Sequence, residues 1–306
     1  MNIVKGALFL LGVAVSLACH SPVAAEEKKL LIVASLFPQY DFARQIAKDK
    51  ATVVMLLPPG VESHAFDPRP GDVKMLHDAD LFIFTGEIME PWAERIVQSL
   101  SARRLLVVDA SSGMRLRQIH EHDPNSHHTH EYDPHVWLDL SLAEIMVDNI
   151  AKGLCEKDPA HTQFYEKNAS DYKTRLRELD NNFGDIVDHG DRDTLVFGGR
   201  FAYLYFLEHY KLKYVTAYDS CSFENEPSVR KIADVIRYMR ESGTRFIFHE
   251  EFADPRVARS IAEQTGAELL LFSTAHNVSK DDFEAGITFV DVMESNMSNL
   301  KKALVF

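Results

Sequence analysis

A chain of 306 residues, 46% hydrophobic and 26% charged, exceeds one comfortable core and suits two lobes. Its formal net charge of −13 argues against nucleic acid and anionic membrane as partners and is compatible with cationic ligands. Three cysteines make no disulfide framework.

In chain order, the first 25 residues have the pattern of a signal peptide. Lys5 supplies the positive start, Ala7–Ala18 the short apolar stretch, and Val23-Ala24-Ala25 a small-residue cleavage site. Leu17-Ala18-Cys19 offers a second reading, a loose lipoprotein box that would anchor the chain through Cys19. Lys5 is the only formal charge before Glu26, so cleavage takes −13 to −14 and leaves Cys155 and Cys221, whose pairing stays open. No later stretch is long and apolar enough to span a bilayer.

Short apolar runs then alternate with amphipathic ones. Leu30–Ala34, Thr52–Leu56, Leu81–Thr85 and Leu105–Val108 read as buried strands. Helices lie between them, one capped by Asp72 over Val73–Ala79 and one following Pro91. Ser141–Glu156 is helical, and a longer amphipathic stretch runs from Asp158-Pro159 to about Val187. It carries Phe164, Tyr165, Tyr172, Leu176, Leu179 and Phe183 on one stripe. After His189-Gly190 the alternation resumes. Strands fall at Leu195–Phe197, Tyr214–Ala217, Arg245–Phe248 and Glu268–Phe272, and helices at Phe201–His209, Ser228–Glu241, Pro255–Thr265 and Asp282–Ala303. The expectation is an α/β fold of two lobes, each a four-stranded, mainly parallel sheet flanked by helices, joined by one long rigid helix. The corresponding bounds are 26–157, 158–189 and 190–306 after a signal of 1–25.

Six of the fourteen histidines fall between His120 and His135. His120, His122, His127, His128 and His130 stand among Glu, Asp, Pro and Asn with no apolar anchor, which reads as a metal-collecting loop. In open parallel sheets, ligands bind outside the carboxyl ends of the strands. The loops leaving those ends hold His64, His135, Asp219, Cys221, His249, Glu250, Glu251 and His276.

Gly60-Val-Glu62-Ser-His64-Ala-Phe-Asp67-Pro68, Asp133-Pro134-His135-Val-Trp137-Leu-Asp139 and Glu226-Pro227-Ser228, in this order, resemble the substrate-binding proteins of zinc and manganese ABC importers. The resemblance runs from about Leu30 to Leu304. It implies a two-lobed receptor with a stiff linking helix, metal ligation from the first lobe by His64 and His135, and a His-rich loop of the zinc type. Family members usually carry a third His where this chain has Gly198, and an Asp in the final loop where it has His276-Asn277. His276 is therefore expected to supply the missing imidazole. Glu251 is expected as a fourth ligand, with an orienting role or an ion pair with Arg200 as its other readings. Glu62 and Cys221 are further candidates. His77, His161, His189 and His209 read as solvated.

The function implied is an extracytoplasmic receptor, periplasmic or lipid-anchored. It captures Zn2+ in the inter-lobe cleft and delivers it to a membrane permease worked by an ATPase. It would be a monomer and not an enzyme, with no nucleic acid as partner. A Mn2+-binding member of the family, an adhesin or metal buffer of the same fold, and a zinc hydrolase are the rival readings. The hydrolase lacks a His-Glu-x-x-His helix.

Overall fold

The computed structural model describes residues 29–64, 66–100, 104–118, 132–218 and 227–305. The His-rich run, the first 28 residues, Asp219, Cys221 and Glu226 lie outside them.

The first lobe carries β1 (Leu30–Ala34), β2 (Ala51–Met55), β3 (Leu81–Phe84) and β4 (Leu106–Asp109), ordered β2–β1–β3–β4 and paired parallel throughout. Around it lie α1 (Phe37–Ala47), α2 (Pro70–Asp78) and α3 (Pro91–Ser99). A two-residue antiparallel ribbon, β5 (Arg117–Gln118) with β6 (Tyr132–Asp133), precedes α4 (Leu140–Lys157). Then comes α5 (Thr162–Asp188), 27 residues and about 40 Å long. The second lobe repeats the plan with β7 (Thr194–Phe197), β8 (Lys213–Thr216), β9 (Phe246–His249) and β10 (Glu268–Leu271), ordered β10–β9–β7–β8 and again parallel. Its helices are α6 (Leu204–His209), α7 (Val229–Ser242), α8 (Arg256–Thr265), α9 (Lys280–Glu284) and α10 (Phe289–Leu304).

Strand periodicity decides which core each side chain enters. In β1, Ile32 and Ala34 face one way and Val33 the other; in β7, Leu195 and Phe197 oppose Val196. The inner faces of both sheets share one apolar cluster, running from Ile32 to Leu304, with Tyr165, Tyr172, Leu176, Leu179 and Phe183 of α5 along it. The outer face of each sheet has its own smaller cluster. The lobes are thus two sheets sharing one core, not two bodies on a string.

Direct bonds pin them as well. Asp41 of α1 is fully buried and accepts from Arg44, from the Tyr172 hydroxyl of α5 at 3.0 Å and from the Phe289 backbone N–H of α10 at 2.9 Å. On another side, the Tyr205 hydroxyl of α6 accepts from Arg117 N–H at 2.9 Å and donates to the Asp133 carbonyl at 3.0 Å.

Three expectations change. Asp72 is not the cap of α2 but sits in its first turn, where its carboxylate accepts from Arg69 N–H at 2.8 Å, because Pro70 starts the helix three residues early. The helix expected from Phe201 begins at Leu204; Phe201 and Tyr203 are committed to stacks with Tyr214 and Phe197. The helix expected over Asp282–Ala303 is two. Gly286, at φ +76°, breaks it, and Thr288 with Asp291 forms a capping box that starts α10. Among the described residues no helix is long and apolar enough to cross a membrane.

Candidate metal centre

Each strand order reverses between β1 and β3 and between β7 and β9, the place where open sheets normally bind ligands. A glutamate carboxylate stands at each, and at the second it lines a cavity of about 230 Å³ with Gly198, Gly199 and Tyr218. The Glu90 carboxylate occupies the first, wholly buried, accepting from the Ser35 hydroxyl and from Thr85 and Gly86 N–H; burial pushes its pKa up to about 7 despite those bonds. Glu250 occupies the second, accepting from Arg200 N–H at 3.0 Å and lying 1.7 Å from where a Cβ on Gly199 would stand. The site lies instead between the lobes.

There, three loops meet. His64 follows β2, His135 follows the ribbon, and His276 follows β10. Their ligand atoms lie within 4.8 Å of one another, the one such group of three among the described residues. The ring centroids are 5.5 Å (His64–His135), 5.0 Å (His64–His276) and 4.7 Å (His135–His276) apart, with the rings edge to face. The three Nε2 atoms are buried, and that of His276 takes no hydrogen bond among the described residues.

The rings are held from behind. Asp133 Oδ1 accepts from His135 Nδ1 at 2.7 Å and from His135 N–H at 2.8 Å. That places the ring proton on Nδ1 and turns the Nε2 lone pair toward the other imidazoles. His276 Nδ1 meets the Thr274 hydroxyl, which reaches Glu251 Oε1 at 2.6 Å. Burial, then the neighbouring His135 and His64, hold His276 well below its ordinary pKa, so it stays neutral and able to ligate. Burial raises the pKa of Glu251.

The second-lobe loop is laced to the first lobe. The His276 carbonyl accepts from Phe37 N–H, and the Asn277 amide donates to the Pro58 and Val61 carbonyls at 2.7 and 2.8 Å. Asn296 of α10 clamps Ser273 through both its N–H and its carbonyl. Ala275 takes a left-handed φ of +56° at the turn. Beside His64 and His276, the cleft has about 30 Å³ of room, enough for one or two water molecules, between Glu62, Arg200, Glu251 and Phe252.

The structure thus brings His64, His135 and His276 to one point. Glu251 stands outside that group, bound to Thr274, and His249 Nδ1 contacts the Glu250 carbonyl. Gly198, where the family usually has a His, has no room for a side chain: a Cβ would come 2.6 Å from Ala258 Cα. His209 is not a solvated side chain. It is clamped by Asp139 at 3.2 Å and Asp180 at 2.8 Å, which raise its pKa to about 10, because the chain brings the α4 cap, α5 and α6 together there. His161 is also engaged, by Asp158 at 2.7 Å. Thr274 and Trp137 escape a reading of the sequence as site residues, although a hydroxyl two residues before His276 parallels the acid two residues before His135.

Two parallel-sheet lobes with a buried imidazole cluster at their interface define a two-lobed solute-binding protein. The zinc-uptake complex component A, periplasmic (ZnuA) family model matches residues 32–303, and the chain belongs to that family. It is 33% identical over 283 residues to the high-affinity zinc uptake system protein ZnuA of Bacillus subtilis, covering 90% of this chain and 88% of that one. Among solved structures, it resembles the metal-dependent lipoprotein YcdH of Bacillus subtilis (TM-score 0.79, 32% identity, 90% of this chain and 100% of that one). It also resembles the Zn(II)-bound ZnuA-like domain of Streptococcus pneumoniae AdcA (TM-score 0.77, 28% identity, 90% and 99%).

Proposed function

We propose that this chain captures Zn2+ between its lobes through the Nε2 atoms of His64, His135 and His276 and delivers it to an ABC importer. The observation that carries this is the convergence of three buried imidazoles from three loops of two lobes. Neutral imidazole suits zinc, which takes four ligands tetrahedrally, three of them from protein where water fills the fourth position, and a set of converging groups made of imidazoles alone favours zinc over manganese. Glu251 is better read as support than as ligand, since both its oxygens accept from Thr274. Water held by Glu62 suits the remaining coordination position.

The protein acts outside the cytoplasm. Cleavage after Ala25 is the reading we carry, with anchorage through Cys19 the other outcome; mass spectrometry of the mature N-terminus separates them. The partners are a permease and its ATPase. The receptor works as a monomer, without catalysis and without nucleic acid, and the lobes are bounded at 157 and 190. The loop histidines His120, His122, His127, His128 and His130 act as weaker collectors.

Titration calorimetry on metal-free protein tests the site. The parent should bind one zinc tightly and further equivalents weakly. His64→Ala, His135→Ala and His276→Ala should each lose the tight event and keep the parent's far-ultraviolet spectrum. One tight zinc retained in His64→Ala would sink the assignment.

A further inference from the structure

Every polar atom of Thr274, a buried residue, is engaged. Its N–H donates to Glu251 Oε2 at 2.7 Å and its hydroxyl to Glu251 Oε1 at 2.6 Å. Its hydroxyl also meets His276 Nδ1, and its carbonyl accepts from Trp137 Nε1 at 2.8 Å. Trp137 belongs to the opposite lobe and is fully buried, its ring 5.5 Å from that of His135 and 5.2 Å from that of His276.

A hydroxyl has one proton and a carboxylate only accepts. The Thr274 proton goes to Glu251, so the contact with His276 is one in which the ring N–H donates. We infer that Thr274 is a positioning residue that locks the proton of His276 on Nδ1, so that Nε2 faces His64 and His135, and that Trp137 makes this hold depend on the seated lobe interface. The inference rests on the reading of His276 as a zinc ligand and explains how that ligand is kept ready. An imidazole without such a partner divides its proton between two nitrogens, and supporting partners of this kind are worth roughly 10–100-fold in metal affinity.

Glu251→Gln is the sharpest test because it keeps the shape. One amide arm must still accept from Thr274 N–H, so its NH2 falls on the hydroxyl. The hydroxyl then turns to donate to His276 Nδ1 and drives the ring proton onto Nε2. Zinc affinity should fall by roughly 10–100-fold. Nitrogen-15 shifts of the metal-free protein should report the switched tautomer, and the visible spectrum of the cobalt(II) form should change. Thr274→Val should weaken zinc to a similar degree, and Thr274→Ser should restore parental binding. Parental affinity and an Nδ1-protonated His276 in both Glu251→Gln and Thr274→Val would overturn the inference. His276→Ala separates the two levels: if it keeps the tight zinc, the ligand reading falls, and the tautomer shifts still show whether Thr274 controls the ring.

Discussion

The two lobes prepare their imidazoles differently. In the first, a carboxylate touches the ring directly: Asp133 takes both the His135 N–H and its Nδ1 proton two residues away in sequence. In the second, a hydroxyl stands between ring and carboxylate, and the carboxylate comes from another loop, 25 residues before His276. The first support is local and already made by a short stretch of chain. The second exists only when β9, β10 and Trp137 are all in place. One half of the site is therefore organised by sequence neighbours and the other by tertiary packing.

Removing the direct support should have the largest effect. Asp133→Ala frees the His135 ring and should weaken zinc by roughly 10–100-fold. Competition with a chromophoric chelator reads this. Parental affinity would show that the ribbon and the short turn at Val136–Leu138 alone orient His135, and the contrast between the half-sites would fail.

Restoring the usual family residue should sharpen the comparison from the other side. Gly198→His gives the second lobe the imidazole it lacks at β7. The space there is already taken: a Cβ would stand 2.6 Å from Ala258 Cα and 2.7 Å from Ile247 Cδ1. The cost should be about 1–3 kcal/mol of stability from overpacking, with no gain in zinc affinity. Urea unfolding measures the first and calorimetry the second; tighter zinc would show that the two histidine positions are interchangeable.

The smallest effect concerns the clamp that holds α6 against α4 and α5. His209 keeps its proton in the folded state to about pH 10, whereas a free imidazole loses it near pH ~6.5. Its stabilising contribution is full below the lower value and lost as pH rises through the upper one. With the group partly exposed, that contribution is about 1 kcal/mol after solvent screening. Between pH 7 and 10 the parent's melting temperature should therefore fall more than that of His209→Gln. Parallel curves would remove His209 from the account.

Much of this is legible in the chain. All eight sheet strands can be placed to within about a residue, because buried parallel strands are short apolar runs with sharp edges. The end of β7 shows where such reading stops: local pattern predicts a helix from Phe201, but ring stacking across the lobe holds those residues out of one. The clamped His209 escapes for a related reason. Its two partners lie 70 and 29 residues away, and nothing local marks a histidine as caged.

By itself the sequence determined the alternation of strands and helices and the long α5, since periodicity carries that information, while His64 and His135 as the first-lobe pair came from the likeness of its motifs to a known family. It named His276 only by asking where a missing imidazole could come from. Tertiary structure alone decided that His276 meets the other two and that Thr274, Glu251 and Trp137 stand behind it. It also decided that position 198 has no room for a side chain. Those facts depend on distances between loops separated by up to 212 residues, as His64 and His276 are, and no local pattern encodes a distance.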